Sequence, residues 1–161
     1  MLSDLNLAIS AAKKAGDLIL NYFKSDYEIK DKGFNNPVTT ADHEADQCIK
    51  EILMGNRPDY GWLSEETVDS FKRLEKKKVW IVDPLDGTKE FIEGVANFVV
   101  SIGLVQEGYP IIGVLYNPIT KELFTAAKNE GAYLNGISIK CSLKESLSDM
   151  SLLISRSELR K

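Results

Sequence analysis

The chain has 161 residues, which suits one domain and is short for two full ones. Hydrophobic residues make up 43% and charged residues 27%, an ordinary globular balance that can support a core. The net charge of −4 argues against a general binder of nucleic-acid polymers, because such proteins are usually basic.

Two cysteines, Cys48 and Cys141, lie far apart and outside any metal-binding spacing, so a reducing compartment is expected. The start, Met1-Leu2-Ser3-Asp4-Leu5, lacks the charged head and apolar block of a signal peptide. No apolar run approaches the roughly 20 residues of a membrane span. The expectation is a cytoplasmic protein that does not engage a membrane.

Apolar residues at Leu5, Ile9, Ala12, Ala15, Ile19 and Tyr22 recur in steps of three and four. They predict a first helix from Asp4 to about Phe23, with Ser3 or Asp4 as its cap. Residues 24 to 38 are polar, with Lys30, Asp31, Lys32, Gly33, Asn35, Asn36 and Pro37, and predict a loop or short hairpin. Thr39 or Thr40 then caps a second helix with inner face Ala45, Cys48, Ile49, Ile52 and Leu53, ended by Gly55. Asp42 falls in its first turn, where a carboxylate favours the helix dipole, and capping and functional readings both stay open. His43 is expected on the solvated side. It is the only histidine, which removes mechanisms that need two.

Trp62-Leu63-Ser64-Glu65-Glu66 follows a turn region, and residues 67 to 78 are expected to form a charged, solvated flap. From Val79 the pattern becomes β. Val79 to Val82 is a continuous apolar run and predicts a strand buried on both faces. Phe98 to Val105 and Ile111 to Tyr116 are further strands, joined by the hairpin loop Glu107-Gly108-Tyr109-Pro110. Asn117-Pro118 turns the chain, and Glu122 to Ala127 returns. Asn135-Gly136 is a turn before Ile137 to Cys141, and Ser151 to Ser155 is the last apolar run. Two N-terminal helices followed by a meander of strands predict a layered α+β fold, the helices packed on a largely antiparallel sheet.

The chemistry concentrates after Val82. Asp83 and Asp86 sit three residues apart. Two acids that close disfavour joint ionisation, and a divalent cation with oxygen ligands removes that cost. Pro84 stiffens the turn and biases Asp83 toward an extended backbone. Gly87 lets the chain approach a ligand, and Thr88 is a candidate N-cap for a short helix through Lys89 to about Glu93. The mouth of such a helix can hold a phosphate on backbone N–H groups. Metal and phosphate at one turn suggest phosphoryl chemistry. A strand-turn-helix with ordinary Asp and Thr caps remains the alternative.

Val82-Asp83-Pro84-Leu85-Asp86-Gly87-Thr88 resembles the signature of the magnesium-dependent, lithium-sensitive inositol monophosphatase superfamily. Pro37-Val38-Thr39-Thr40-Ala41-Asp42 resembles its earlier Val-Thr-x-x-Asp element, and Ser64-Glu65-Glu66 its Gly/Ser-Glu-Glu element. The three occur in the family's order and at about its spacing. Gly87-Thr88-Lys89-Glu90-Phe91-Ile92 is closer to the 3'(2'),5'-bisphosphate nucleotidases than to typical inositol monophosphatases.

The resemblance implies roles for particular residues. Glu65, Asp83 and the Leu85 carbonyl would ligate a first Mg²⁺, and Asp83 with Asp86 a second. Glu65 and Thr88 would orient the attacking water, with Asp42 hydrogen-bonded to the Thr88 hydroxyl. Gly87 and Thr88 would hold the substrate phosphate through backbone N–H groups, with Leu85 and Asp86 alongside it. Two-metal catalysis of this kind needs no covalent intermediate.

The family's enzymes are longer, and their second half carries a Trp-Asp-x-Ala-type element that is not found in these residues. Residues 1–161 are therefore expected to be a single N-terminal phosphatase domain without the family's C-terminal domain. The intact family implies two or three Mg²⁺, and one or two are expected here. The expected activity is phosphomonoester hydrolysis, first on 3'(2'),5'-bisphosphate nucleotides, alternatively on inositol 1-phosphate or a sugar phosphate. The chain alone is expected to be weak or inactive. A reading from another class is an incomplete domain that assembles with a second copy or with the missing half. A hydrolase centred on His43 is the least supported.

Overall fold

A computed structural model describes residues 2–31, 37–144, 146–151 and 153–154. Helix α1 (Leu2–Tyr22) leads through a two-stranded hairpin, β1 (Ile29–Asp31) with β2 (Pro37–Thr39), into α2 (Thr40–Asn56). A seven-stranded sheet follows in chain order: β3 (Gly61–Ser64), β4 (Lys78–Asp86), β5 (Val99–Gln106), β6 (Tyr109–Asn117), β7 (Glu122–Ala127), β8 (Gly131–Leu134) and β9 (Ile137–Ile139). A short helix, α3 (Thr88–Ile92), sits between β4 and β5. This is the expected layered α+β fold. No helix among the described residues is long and apolar enough to cross a membrane.

The helices cover one face of the sheet. Ala8, Ala11, Ala12, Ala15 and Ile19 of α1 and Ala41, Ala45, Ile49 and Leu53 of α2 are buried there. The small alanines let the two helices approach each other and the strands closely. Below them lie cross-strand rows, Trp80–Leu104–Ile112 and Val82–Ile102–Val114. The inner stripe of α1 is led by alanine, with Leu5 and Ile9 on its flanks only partly buried. In α2, Asp42 and Asp46 lie in the buried stripe while Cys48 and Ile52 are only partly covered.

Several expectations are corrected. Val79 to Val82 is not buried on both faces: Ile81 is 42% exposed, because the sheet face away from the helices is open. Leu115, Phe124 and Ile139 share that exposure. Gly55 does not end α2, which runs on to Asn56. The last strand stops at Ile139, and the described residues of the 151-to-155 run are exposed without regular structure. Lys32, Gly33, Asn35, Asn36 and Ser155 lie outside the described residues.

One pairing positions the site, and one buried carboxylate holds the opposite end of the fold. Strand β3 runs parallel to β4, with Ser64 opposite Val82, whereas the other neighbours in the sheet pair antiparallel. A buried carboxylate also clasps the layers at the far end. Asp4, on the first turn of α1, accepts from Arg57 Nε at 2.7 Å, Tyr60 Oη at 3.0 Å and Lys78 Nζ at 3.2 Å.

Candidate active site

The parallel pairing of β3 and β4 brings two acids together. Ser64, the last residue of β3, pairs with Val82 inside β4, so Glu65 leaves the sheet beside Asp83, which continues β4. The Glu65 N–H donates to the Val82 carbonyl at 3.2 Å and fixes that exit. Neighbouring C-terminal ends of parallel strands are where open α/β sheets bind ligands, and this one pair recreates such a place in a largely antiparallel sheet.

Asp86 reaches the same cleft through an irregularity. In a regular strand, residues three apart point to opposite faces. Against β5, Asp83 pairs with Ser101 and Asp86 with Val99, so β4 carries one extra residue between them. This bulge, at Pro84-Leu85, turns the strand so that Asp83 and Asp86 line one opening. Pro84 has no N–H to leave unpaired there. The Leu85 N–H donates back to Asp83 Oδ1 at 3.2 Å, tightening the turn.

Gly87 closes it with φ +101°, a conformation that side chains resist. A Cβ at Gly87 would lie 2.8 Å from the Asn97 carbonyl oxygen. The glycine is thus required by the packing of the Asn97–Phe98 backbone. Gly87 occupies the cap position of α3, and Thr88 is the helix's first residue, which corrects the expected Thr88 cap. The Thr88 hydroxyl points backward instead, with Asp42 Oδ1 and the Leu85 carbonyl oxygen each 3.0 Å away. Behind the turn, Phe91 and Phe98 meet edge to face at 5.2 Å and anchor α3.

Asp42 serves two purposes. Its Oδ2 accepts from the Thr39 N–H at 2.8 Å and the Thr39 hydroxyl at 2.5 Å, capping α2, while Oδ1 takes Thr88. The open cleft that results, about 210 Å³, is lined by Glu65, Asp83, Leu85, Asp86, Gly87 and Thr88, with Pro37, Lys89 and Glu90 at its rim. All three sequence segments converge there, Asp42 from beneath. His43 stands apart, half-exposed, its Nδ1 3.7 Å from Glu66 Oε2. A larger depression of about 370 Å³ on the open sheet face is mostly apolar and lacks converging charges.

Burial first, then the neighbouring Glu65 carboxylate and its hydrogen bond, then Asp86, push the Asp83 carboxyl up to about 7. Glu65 and Asp86 thus crowd the Asp83 carboxyl at one point. Among the described residues, no three Asp, Glu, His or Cys side chains form a cage of their own. Oxygen donors of this kind, few carboxylates plus a backbone carbonyl, fit a hard cation that keeps several waters, as Mg²⁺ does. Sequence reasoning missed Asp46, buried one turn beyond Asp42 on the same face of α2. Its position in the 42/45/46/49 stripe was the available signal.

Residues 2–161 match the model of the inositol monophosphatase family. "Inositol monophosphatase 2" of Solanum lycopersicum is 42% identical over 146 residues, 89% of this chain and 55% of that protein. The structure of an IMPase from Thermotoga maritima superposes with a TM-score of 0.83 at 31% identity, covering 89% of this chain and 55% of that one. The structure of CysQ from Bacteroides thetaiotaomicron gives a TM-score of 0.69 at 39% identity, covering 93% and 53%. The chain spans about half the length of the curated relatives it matches.

Proposed function

The chain belongs to the inositol monophosphatase family, and from that premise we propose that the protein hydrolyses phosphate monoesters with Mg²⁺ and an activated water. The observation that carries this reading is the convergence of Glu65, Asp83 and Asp86 with the Gly87–Thr88 turn on one cleft. Glu65, Asp83 and the Leu85 carbonyl would hold one Mg²⁺, and Asp83 with Asp86 would contribute to a second. Bound there, Mg²⁺ acidifies the attacking water and neutralises phosphoryl charge. Glu65 and Thr88 orient that water, the Thr88 hydroxyl being held by the Asp42 carboxylate and the Leu85 carbonyl. The Gly87 and Thr88 N–H groups hold the phosphate, with Leu85 and Asp86 beside it.

For the substrate we favour a 3'(2'),5'-bisphosphate nucleotide. Lys89 at the rim supplies a cation for a second phosphate, and the likeness to CysQ supports the choice. Inositol 1-phosphate is the second candidate, supported by the plant relatives' names. A cytoplasmic setting suits the free Cys48 and Cys141 thiols. The relatives carry about as much chain again, and we expect residues there to complete the second metal site and to cover the open sheet face around Ile81 and Leu115. The 161-residue chain alone is then weakly active or inactive.

The test is phosphate release from adenosine 3',5'-bisphosphate and inositol 1-phosphate by the whole protein that carries this chain, with and without Mg²⁺. Magnesium-dependent release that disappears in Asp83→Asn supports the reading. No release from any phosphomonoester, or release that survives that substitution, removes it.

A further inference from the structure

Helix α2 carries a second buried carboxylate whose partners lead to the other half of the cleft. Asp46 is 6% exposed and lies one helical turn after Asp42. Its Oδ1 accepts the hydroxyl of Ser64, and its Oδ2 accepts the hydroxyl of Thr67 at 2.8 Å. The Ser64 oxygen in turn accepts the Glu66 N–H at 3.2 Å. The turn that bears Glu65 is thus fastened at both ends to one carboxylate. Burying a charge against two neutral hydroxyls is costly, and an apolar residue would fill the same space without that cost. What the carboxylate adds is direction: two acceptors on one rigid helix, each holding one end of a four-residue segment.

The geometry points to Asp46 as a positioning residue for Glu65. Asp42 indexes Thr88 to α2, and Asp46 indexes the Ser64–Thr67 turn to the same helix face, so the two halves of the centre share one frame. This inference rests on the reading of Glu65 as a Mg²⁺ ligand. Outer partners that orient a ligand typically set metal affinity within about 10- to 100-fold.

Calorimetric Mg²⁺ titration of the whole protein that carries this chain tests it, with circular dichroism melts in chelator to establish that each variant folds. Asp46→Ala should raise the Mg²⁺ dissociation constant by about 10- to 100-fold, and Asp46→Asn, which keeps one acceptor, by less. Thr67→Val removes one tether at constant shape and should weaken Mg²⁺ by about tenfold, which keeps the inference testable if Asp46→Ala does not fold. A purely structural role would lower the melting temperature and leave the dissociation constant of the folded protein unchanged. Folded variants that bind Mg²⁺ within about twofold of wild type overturn the inference while leaving the phosphatase reading intact. Wild-type protein that binds Mg²⁺ yet hydrolyses no phosphomonoester overturns that reading, and the metal data then decide Asp46 alone. A wild type that binds no Mg²⁺ overturns both.

Discussion

The Thr88 hydroxyl lies 3.0 Å from Asp42 Oδ1, across 46 residues of sequence, and joins the first turn of α2 to the first residue of α3. Asp42 also caps its own helix through Thr39, so its structural and chemical roles are separable by experiment. Thr88→Val keeps the shape and removes the hydroxyl. It should lower kcat by about 10²- to 10³-fold with little change in melting temperature. Asp42→Ala should lower kcat as well and also cost about 1 kcal/mol of stability, because the cap is lost. Steady-state kinetics beside thermal melts separate the two.

The raised Asp83 carboxyl makes stability depend on pH in a definite direction. In the folded protein the carboxyl keeps its proton up to about 7, whereas an ordinary Asp carboxyl loses it near 3.8. Within that window the folded state binds more protons than the unfolded one, so metal-free stability falls as pH rises from 3.8 toward about 7. Saturating Mg²⁺ should restore the loss at the upper end. Asp83→Asn should flatten the dependence and abolish hydrolysis. Urea midpoints at the two ends of the window check the sign, and a wild-type midpoint that rises with pH refutes it.

Gly87→Ala places a side chain at φ +101° with its Cβ 2.8 Å from the Asn97 carbonyl oxygen. The conformation alone costs about 1–2 kcal/mol, and the contact adds to it. Both urea stability and phosphate release should fall, because the turn that shapes the cleft must shift to relieve the clash.

Asp4→Ala removes the acceptor that gathers Arg57, Tyr60 and Lys78. It leaves cationic groups short of their partner and should destabilise the fold by about 3 kcal/mol. Mg²⁺ affinity should be unchanged, since Asp4 lies outside the residues lining the cleft. Denaturant titration and calorimetry together separate stability from site.

His43→Ala should leave phosphate release within about twofold of wild type, because surface substitutions away from buried features have small effects. His43 is half-exposed and contacts Glu66 rather than the Thr88 turn. A complete loss of activity would point to a histidine-dependent hydrolysis instead.

Most residues that line the cleft were singled out in the sequence. Asp83, Asp86, Gly87 and Thr88 stood out because two close acids and a glycine follow an apolar run, and Glu65 stood out through the family resemblance. Thr88 was assigned the wrong local role, since a threonine before a short helix reads as a cap until Gly87 is seen in that position. Asp46 went unnoticed because a carboxylate in an inner helical stripe has meaning only once its hydroxyl partners on another segment are known. The two-sided burial expected for Val79 to Val82 failed because apolar runs do not reveal how many layers cover a sheet.

Sequence by itself determined most of the element types, the layered α+β class and the family likeness carried by its motifs. Those properties follow from local periodicity and side-chain chemistry, which short stretches of chain express alone. Tertiary structure decided the parallel β3–β4 pairing that sets Glu65 beside Asp83, and the bulge that brings Asp86 to the same opening. It also decided that Asp42 and Asp46 reach two separate turns from one helix face. Register and contacts between distant segments depend on how whole layers pack, and no local pattern encodes that distance.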